Sequence, residues 1–148
     1  TVKSAHGVGV TADALFETVE HDLGTAELLI LPGGLPGSTN LAAHAPLCEA
    51  LKVQAAAGRL IAAICAAPLV LGRLGLLQGR KATCYPGVEP ELKGAECTGA
   101  MAQRDGNIIT GKGPAAALEF AYTIVDALKG EGTHRQLADG MLYTELKG

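Results

Sequence analysis

The stretch LIAAICAAP, residues 60–68, joins a buried strand to a cysteine. Leu60 to Ile64 form a continuous apolar run, which is typical of a parallel strand covered on both faces. Cys65 follows at once, and we expect a helix to open directly after it, at Ala66 or Ala67. Ligands bind at the carboxyl ends of the strands in an open parallel sheet. The sequence therefore predicts that Cys65 lies at the functional edge of the sheet.

The rest of the chain alternates strands and helices in the same way. This order predicts an α/β fold with a mostly parallel sheet covered on both sides, and the absence of a linker predicts one domain over residues 1–148. The expected elements are a hairpin of Val2–Ser4 and Val8–Ala12, strands Leu28–Leu31 and Arg80–Cys84, a helix from Pro46 to Gly58, a hairpin of Cys97–Gln103 and Asn107–Thr110, and a helix from Pro114 to Gly130 with an apolar face of Leu118, Ala121, Val125 and Leu128.

Composition excludes several classes of protein. The chain has 148 residues, of which 48% are hydrophobic and 18% charged, so it is long and apolar enough to bury a core. The net charge is −3 and no basic cluster is present, so nucleic acid is not an expected partner. No apolar run approaches the length of about 18 residues that marks a membrane span. Four widely spaced cysteines predict free thiols and a reducing compartment, the cytoplasm.

Cys65 differs from the other three cysteines in its position. A strand-to-helix turn holds a residue in a strained backbone and presents its side chain to solvent. The start of a helix also favours negative charge. These conditions predict a nucleophile or a redox sensor, whereas the alternative is a small apolar core residue. Core or structural roles are what we expect for Cys48, Cys84 and Cys97.

A second candidate feature is LPGGLPG, residues 31–37. Gly33 and Gly34 allow the chain to turn backbone N–H groups toward a neighbouring site, as an oxyanion hole requires. Adjacent parallel strands are expected to bring Gly34 beside Cys65, with Ala66 as a further donor. The alternative is an ordinary Pro-Gly turn after a strand.

Three stretches together resemble a known superfamily. They are LLILPGGLPGSTNL (28–41), GRLIAAICAAPLVLGRLGLLQGRKATCYPG (58–87) and DGNIITGKGPAAALEFAYTIVDAL (105–128). This combination resembles the ThiJ/PfpI superfamily, in the branch of the Parkinson-disease-associated protein deglycase and its bacterial relatives. The resemblance implies a flavodoxin-like three-layer α/β sandwich that is commonly a homodimer. The sequence indicates neither a cofactor nor a metal.

The resemblance also assigns roles to residues. Cys65 matches the reactive cysteine, and Gly34 and Ala66 match the backbone donors beside it. The GKGP loop, which ends at Gly113 and Pro114, matches the segment that borders the site.

The chain departs from the family pattern at two places. Tyr85 stands where many relatives have a histidine, so the Cys–His pair of a protease is not supplied. The family's first strand and helix, which carry an acid–base glutamate, have no counterpart after Thr1. We therefore expect a companion N-terminal fragment, because a sheet without that strand keeps an open edge. A short paralogue with an open sheet is the alternative.

These observations favour a cysteine-dependent enzyme that acts on reactive carbonyls. The expected activity is that of a glyoxalase III or protein deglycase, with a small aldehyde as substrate and methylglyoxal converted to lactate. One alternative is a cysteine redox sensor that acts as a stress chaperone without turnover. Another is a cysteine peptidase or amidase of the PfpI type.

Overall fold

The computed structural model describes residues 1–146, so residues 147 and 148 of the predicted domain lie outside the described part. In this part the strands are β1 Val2–Lys3, β2 Gly9–Val10, β3 Leu28–Leu31, β4 Leu60–Ile64, β5 Lys81–Ala82, β6 Glu96–Cys97, β7 Ala102–Asp105 and β8 Ile108–Gly111. The helices are α1 Phe16–Val19, α2 Gly37–Ala43, α3 Ala45–Ala56, α4 Pro68–Arg73, α5 Ala117–Lys129, α6 His134–Gly140 and α7 Tyr143–Leu146. Glu20–Thr25, Glu89–Glu91 and Pro114–Ala116 form 3-10 turns.

A four-stranded sheet organises the fold, with the strand order β3-β4-β8-β7. β3, β4 and β8 are parallel, and β7 pairs antiparallel with β8. Leu31 of β3 lies opposite Ala63 of β4, and Ile64 of β4 lies opposite Gly111 of β8. The structure therefore confirms the mostly parallel sheet, and it brings the carboxyl ends of three strands together.

The predicted strands around residues 80–103 are partly wrong. β5 has only two residues, and it pairs in parallel with β6 in a separate small sheet. Cys97 belongs to β6 and is not part of the β7–β8 hairpin. Gly99, which has a φ of +68°, interrupts the chain between β6 and β7, so the predicted continuous strand does not form.

Helices cover the sheet on both sides, which gives the three layers of the predicted sandwich. On the α3–α4 face, Leu51 packs with Ile61 and Ile108. On the α5 face, Phe120 and Ile124 pack against Ala62 and Ile109; Leu28, Leu60 and Ile64 border this second core.

The apolar face predicted for α5 is wrong. Ala121 and Leu128 are exposed, whereas Phe120 and Ile124 point to the sheet. The predicted face and the observed core residues both follow helical spacing, so periodicity alone did not distinguish them. The larger side chains occupy the core because they bury more apolar area.

β3 lies at the edge of the sheet, where its two faces differ. In the described chain it pairs with β4 on one side and with no other strand. Leu31 is 3% exposed on the α3–α4 face, whereas Ile30 is 52% exposed on the other face. The expectation that the apolar strands are covered on both faces is therefore wrong at Ile30.

The C-terminal helices are fastened to α5 by a polar contact. The main-chain N–H of His134 donates to Asp126 Oδ1 at 2.9 Å, and His134 Nδ1 lies 2.7 Å from Asp126 Oδ2. The main-chain hydrogen bonds from His134 and Gly132, and the His134 side chain, lower the pKa of Asp126. Among the described helices, none has the length and apolarity needed to cross a bilayer.

Candidate active site

Cys65 occupies the sharp turn after β4. Its φ is +66°, a left-handed conformation that a residue with a side chain adopts at a cost. Its N–H donates to the Gly111 carbonyl at 2.8 Å, and its own carbonyl accepts from the Tyr85 N–H at 2.8 Å. These two bonds hold the turn in place from β8 and from the chain after β5.

The helix after this turn begins later than predicted. α4 starts at Pro68, and Ala66 and Ala67 form a turn in which the Ala67 N–H donates to the Ile64 carbonyl at 3.1 Å. Cys65 is therefore separated from the helix by two residues. Its side chain is half-buried.

Gly33 is the residue that lies beside Cys65. A Cβ atom added at Gly33 would lie 2.6 Å from the Cys65 Cβ and 3.3 Å from the Ala66 nitrogen. The parallel register of β3 and β4 explains this contact, because it continues from Leu31 and Ala63 to Gly33 and Cys65. A Cβ added at Gly34, the neighbour expected from the sequence, would meet nothing within 4 Å, so the close approach to the Cys65 side chain is made by Gly33. Gly34 has a φ of +94° and turns the chain away from β3.

The predicted backbone donors are unused. Within residues 1–146, the N–H groups of Gly33, Gly34 and Ala66 donate no hydrogen bond. Unpaired N–H groups beside a thiol are able to stabilise negative charge that develops next to the sulfur.

Tyr85 and the GKGP loop, which border the site, lie against each other. The Tyr85 ring is 49% exposed, and one of its carbons lies 3.3 Å from the position of a Cβ on Gly113. Glycine at this position leaves room for the ring. Pro114 is exposed and opens the 3-10 turn that leads into α5.

No acid–base partner of Cys65 is observed in the described part of the chain. Among residues 1–144, whose side chains are described, no carboxylate or imidazole hydrogen-bonds to Cys65. No group of three or more His, Cys, Asp or Glu side chains among them is arranged to hold a metal ion.

Cys84 is a neighbour of the site that the sequence did not reveal. It is 5% exposed and packs in the α3–α4 core, as expected of a core cysteine. It also directly precedes Tyr85, whose N–H binds Cys65. Burial raises the pKa of Cys84 to about 12, with smaller contributions from Glu89, Cys97 and Cys65. No local pattern signals this contact, because it joins segments far apart in the chain.

Known proteins place this geometry in a family. A model described as the DJ-1/PfpI family matches residues 1–127. "Protein DJ-1 homolog B" of Arabidopsis thaliana is 42% identical over 134 residues, which are 88% of this chain and 30% of that protein. "Glutathione-independent glyoxalase DJR-1.2" of Caenorhabditis elegans is 37% identical over 135 residues, 87% of this chain and 68% of that protein.

The fold is shared as well. The solved structure of Toxoplasma gondii DJ-1, oxidized, has a TM-score of 0.88 at 36% identity and covers 95% of this chain and 76% of that one. The chain spans about a third of the length of the Arabidopsis relative. The family match includes Gly33, Cys65, Tyr85 and Gly113. The chain belongs to the DJ-1/PfpI family.

Proposed function

We propose that this chain supplies the nucleophile of a cysteine-dependent enzyme for reactive carbonyls, of the glyoxalase III or protein deglycase type. The carrying observation is the turn at Cys65, with the unused N–H groups of Gly33 and Ala66 beside the thiol. The similarity to a glutathione-independent glyoxalase supports the choice of substrate.

The reaction proposed for methylglyoxal uses these groups in order. The Cys65 thiolate attacks the aldehyde carbon, and the new C–S bond leaves an oxyanion that the N–H groups of Gly33, Gly34 and Ala66 stabilise. An acid–base group moves a proton from the aldehyde carbon to the neighbouring carbon, which gives a lactyl thioester. Water hydrolyses the thioester and releases lactate. The same attack, on a carbonyl adduct of an amine, describes a deglycase.

The proton transfer needs a partner. We infer that a strand–helix unit carrying the acid–base glutamate completes the sheet at β3, on a companion N-terminal fragment. The unpaired edge of β3 offers main-chain hydrogen bonds to a further strand, and the exposed Ile30 offers an apolar contact to a helix.

Intact-mass measurement on native material under denaturing conditions tests this partner. The expected result is a second species of a few kilodaltons in equal amount. A single species of this chain with full activity contradicts the inference.

Substitution of the nucleophile tests the activity. In the native material, Cys65→Ser is expected to lower lactate formation from methylglyoxal by at least about 1,000-fold, because a serine hydroxyl is not ionised at neutral pH. Cys48→Ser is the matched control, since Cys48 lies on α3 with its Sγ 3.4 Å from the Ala42 carbonyl oxygen. Unchanged turnover in Cys65→Ser contradicts the proposal.

A second candidate is a redox sensor that acts as a stress chaperone. The half-buried thiol and the unused N–H groups suit a sulfinate at Cys65. Mass spectrometry after mild peroxide treatment separates the two: selective addition of two oxygens at Cys65, without methylglyoxal turnover, favours the sensor. A peptidase is not proposed, because Tyr85 stands in the place of the required base.

The cellular location and the assembly of the protein are also proposals. We propose a cytoplasmic location, since four free thiols suit a reducing compartment. We propose a homodimer because the family resemblance implies one. Light scattering on the native material measures the dimer directly.

A further inference from the structure

Three of the four cysteines gather near the site. The Tyr85 N–H bonds to the Cys65 carbonyl at 2.8 Å, which brings Cys84 next to Cys65. Cys84 and Cys97 line one cavity of about 270 Å³. Burial is the main cause of the raised pKa of Cys84, and the charges of Glu89, Cys97 and Cys65 add to it.

The hydrogen bond between Tyr85 and Cys65 favours a disulfide between Cys65 and Cys84. Disulfides span Cα separations of about 4.4–6.8 Å. The hydrogen bond joins Tyr85 to Cys65, and Cys84 directly precedes Tyr85, so the main chains of Cys84 and Cys65 are neighbours at the turn.

The two thiols also differ in access. Cys65 is half-buried at the turn, whereas Cys84 is 5% exposed and packs in the α3–α4 core. An oxidant from solvent therefore reaches Cys65 first, and Cys84 stays reduced until Cys65 has reacted.

We propose that Cys84 is the resolving cysteine of Cys65, and that a hydroperoxide drives the pair to a Cys65–Cys84 disulfide. This inference rests on the same reactive Cys65 as the proposed function. In the first step the Cys65 sulfur loses two electrons, the peroxide O–O bond breaks, and one oxygen stays on sulfur as sulfenic acid. The other oxygen leaves as water or alcohol. In the second step the S–S bond forms, the Cys65 S–O bond breaks, and the Cys84 proton leaves with that oxygen as water.

The disulfide competes with further oxidation of Cys65. Sulfinate forms when the sulfenic acid consumes a second peroxide, and it is not reversed by thiols, whereas a disulfide is. Formation of the disulfide takes no second peroxide. The ratio of disulfide to sulfinate is therefore expected to fall as the peroxide concentration rises.

The protonation of Cys84 gives a second signature. With its pKa raised to about 12, the thiol is protonated at neutral pH. At pH values below this pKa, each increase of one pH unit raises the thiolate fraction of Cys84 about tenfold. The thiolate is the form that attacks the sulfenic acid of Cys65. The share of disulfide at low peroxide is expected to increase several-fold from about pH 7 to about pH 9.

Peptide mapping of the reduced native protein tests the proposal. After hydrogen peroxide treatment and alkylation of the remaining thiols, trypsin cleavage under non-reducing conditions places Cys65 in peptide 60–73 and Cys84 in peptide 82–93. The expected product is a linked pair of these two peptides that a thiol reductant separates. Absence of the linked pair at about pH 7 and at about pH 9, each with low and with high peroxide, overturns the proposal.

Substitution identifies the partner. Cys84→Ala is expected to abolish the linked pair and to raise the sulfinate at Cys65 by about tenfold at low peroxide. Cys97→Ala is the matched control, because Cys97 lines the same cavity, and it is expected to keep the linked pair. Circular dichroism checks the fold, and Cys84→Ser serves as a second variant. A linkage of Cys65 to Cys97, or unchanged sulfinate in both Cys84 variants, overturns the proposal.

The mapping uses no carbonyl substrate. Its outcome is therefore separate from the test of the proposed function. If Cys65→Ser keeps lactate formation, the linked pair is still expected, and if the pair is absent, lactate formation is still expected to depend on Cys65.

Discussion

The two faces of β3 show how differently one strand is used. Leu31 is buried under the α3–α4 face, and its neighbour Ile30 projects from the opposite face and is half exposed. Both residues have large apolar side chains, and the run Leu28–Leu31 carries no polar position. The α3–α4 face is closed by the chain itself, whereas α5 covers β4 and β8 on the other face and leaves Ile30 uncovered. An apolar sequence therefore identifies a buried strand without telling which part of the molecule buries each face.

The largest expected effect is on the covered face. Leu31→Ala should lower the free energy of unfolding by about 2–5 kcal/mol, because it leaves a cavity in a packed core. Ile30→Ala is the matched change on the other face, with an expected loss below about 1 kcal/mol. Urea denaturation of both variants makes the measurement. Equal losses would contradict the difference between the faces.

The same two substitutions test whether the companion fragment covers Ile30. If the fragment covers Ile30, the cost of Ile30→Ala should rise toward that of Leu31→Ala, because the side chain then becomes buried. Urea denaturation of the native material is compared with that of the chain alone. A cost for Ile30→Ala that is the same in both samples contradicts a companion at this face.

A third test concerns the end of β3, where the strand meets the turn at Cys65. Gly33→Ala should lower kcat/KM for methylglyoxal by about 100-fold, because its Cβ would overlap the Cys65 Cβ and the Ile64 carbonyl and displace the thiol. Gly37→Ala is the control, since a Cβ there meets nothing within 4 Å and alanine suits the α2 helix. Steady-state kinetics of both variants are compared. Full activity of Gly33→Ala would mean that the thiol tolerates the shift.

The smallest expected effect lies outside the sheet, on the attachment of α6 to α5. The pKa of Asp126 is lowered in the folded state, so its carboxylate stabilises that state above the unfolded value of about 3.9. The contribution is lost as pH falls through the lower folded pKa. Asp126→Asn should speed amide hydrogen exchange in residues 134–140 at neutral pH. The difference from the unsubstituted protein should vanish in acid, and a difference that persists there contradicts this role for the charge.

Much of the framework was predictable from local patterns. β3 and β4 have the predicted bounds, because a short continuous apolar run between turn residues admits few other structures. The α3 helix lies at Ala45–Ala56, close to the prediction, since Pro46 and Gly58 mark its ends. The turn that presents Cys65 follows from the same reasoning.

What the sequence did not predict depends on distant contacts. The close approach of Gly33 to the Cys65 side chain depends on the register of two strands, and no local pattern gives a register. The inward face of α5 was misassigned because many of its positions are apolar. The place of Cys84 depends on a hydrogen bond between segments 20 residues apart, Cys65 and Tyr85.

The position of Tyr85 has an optical consequence. The chain contains no tryptophan and three tyrosines, so its intrinsic ultraviolet emission comes from tyrosine alone. Tyr122 and Tyr143 have ring centroids 5.3 Å apart on the C-terminal helices, whereas Tyr85 stands at the rim of the site against Gly113. The difference in emission between the protein and its Tyr85→Phe variant isolates a single chromophore beside Cys65. Events at the thiol are thereby visible without any added label.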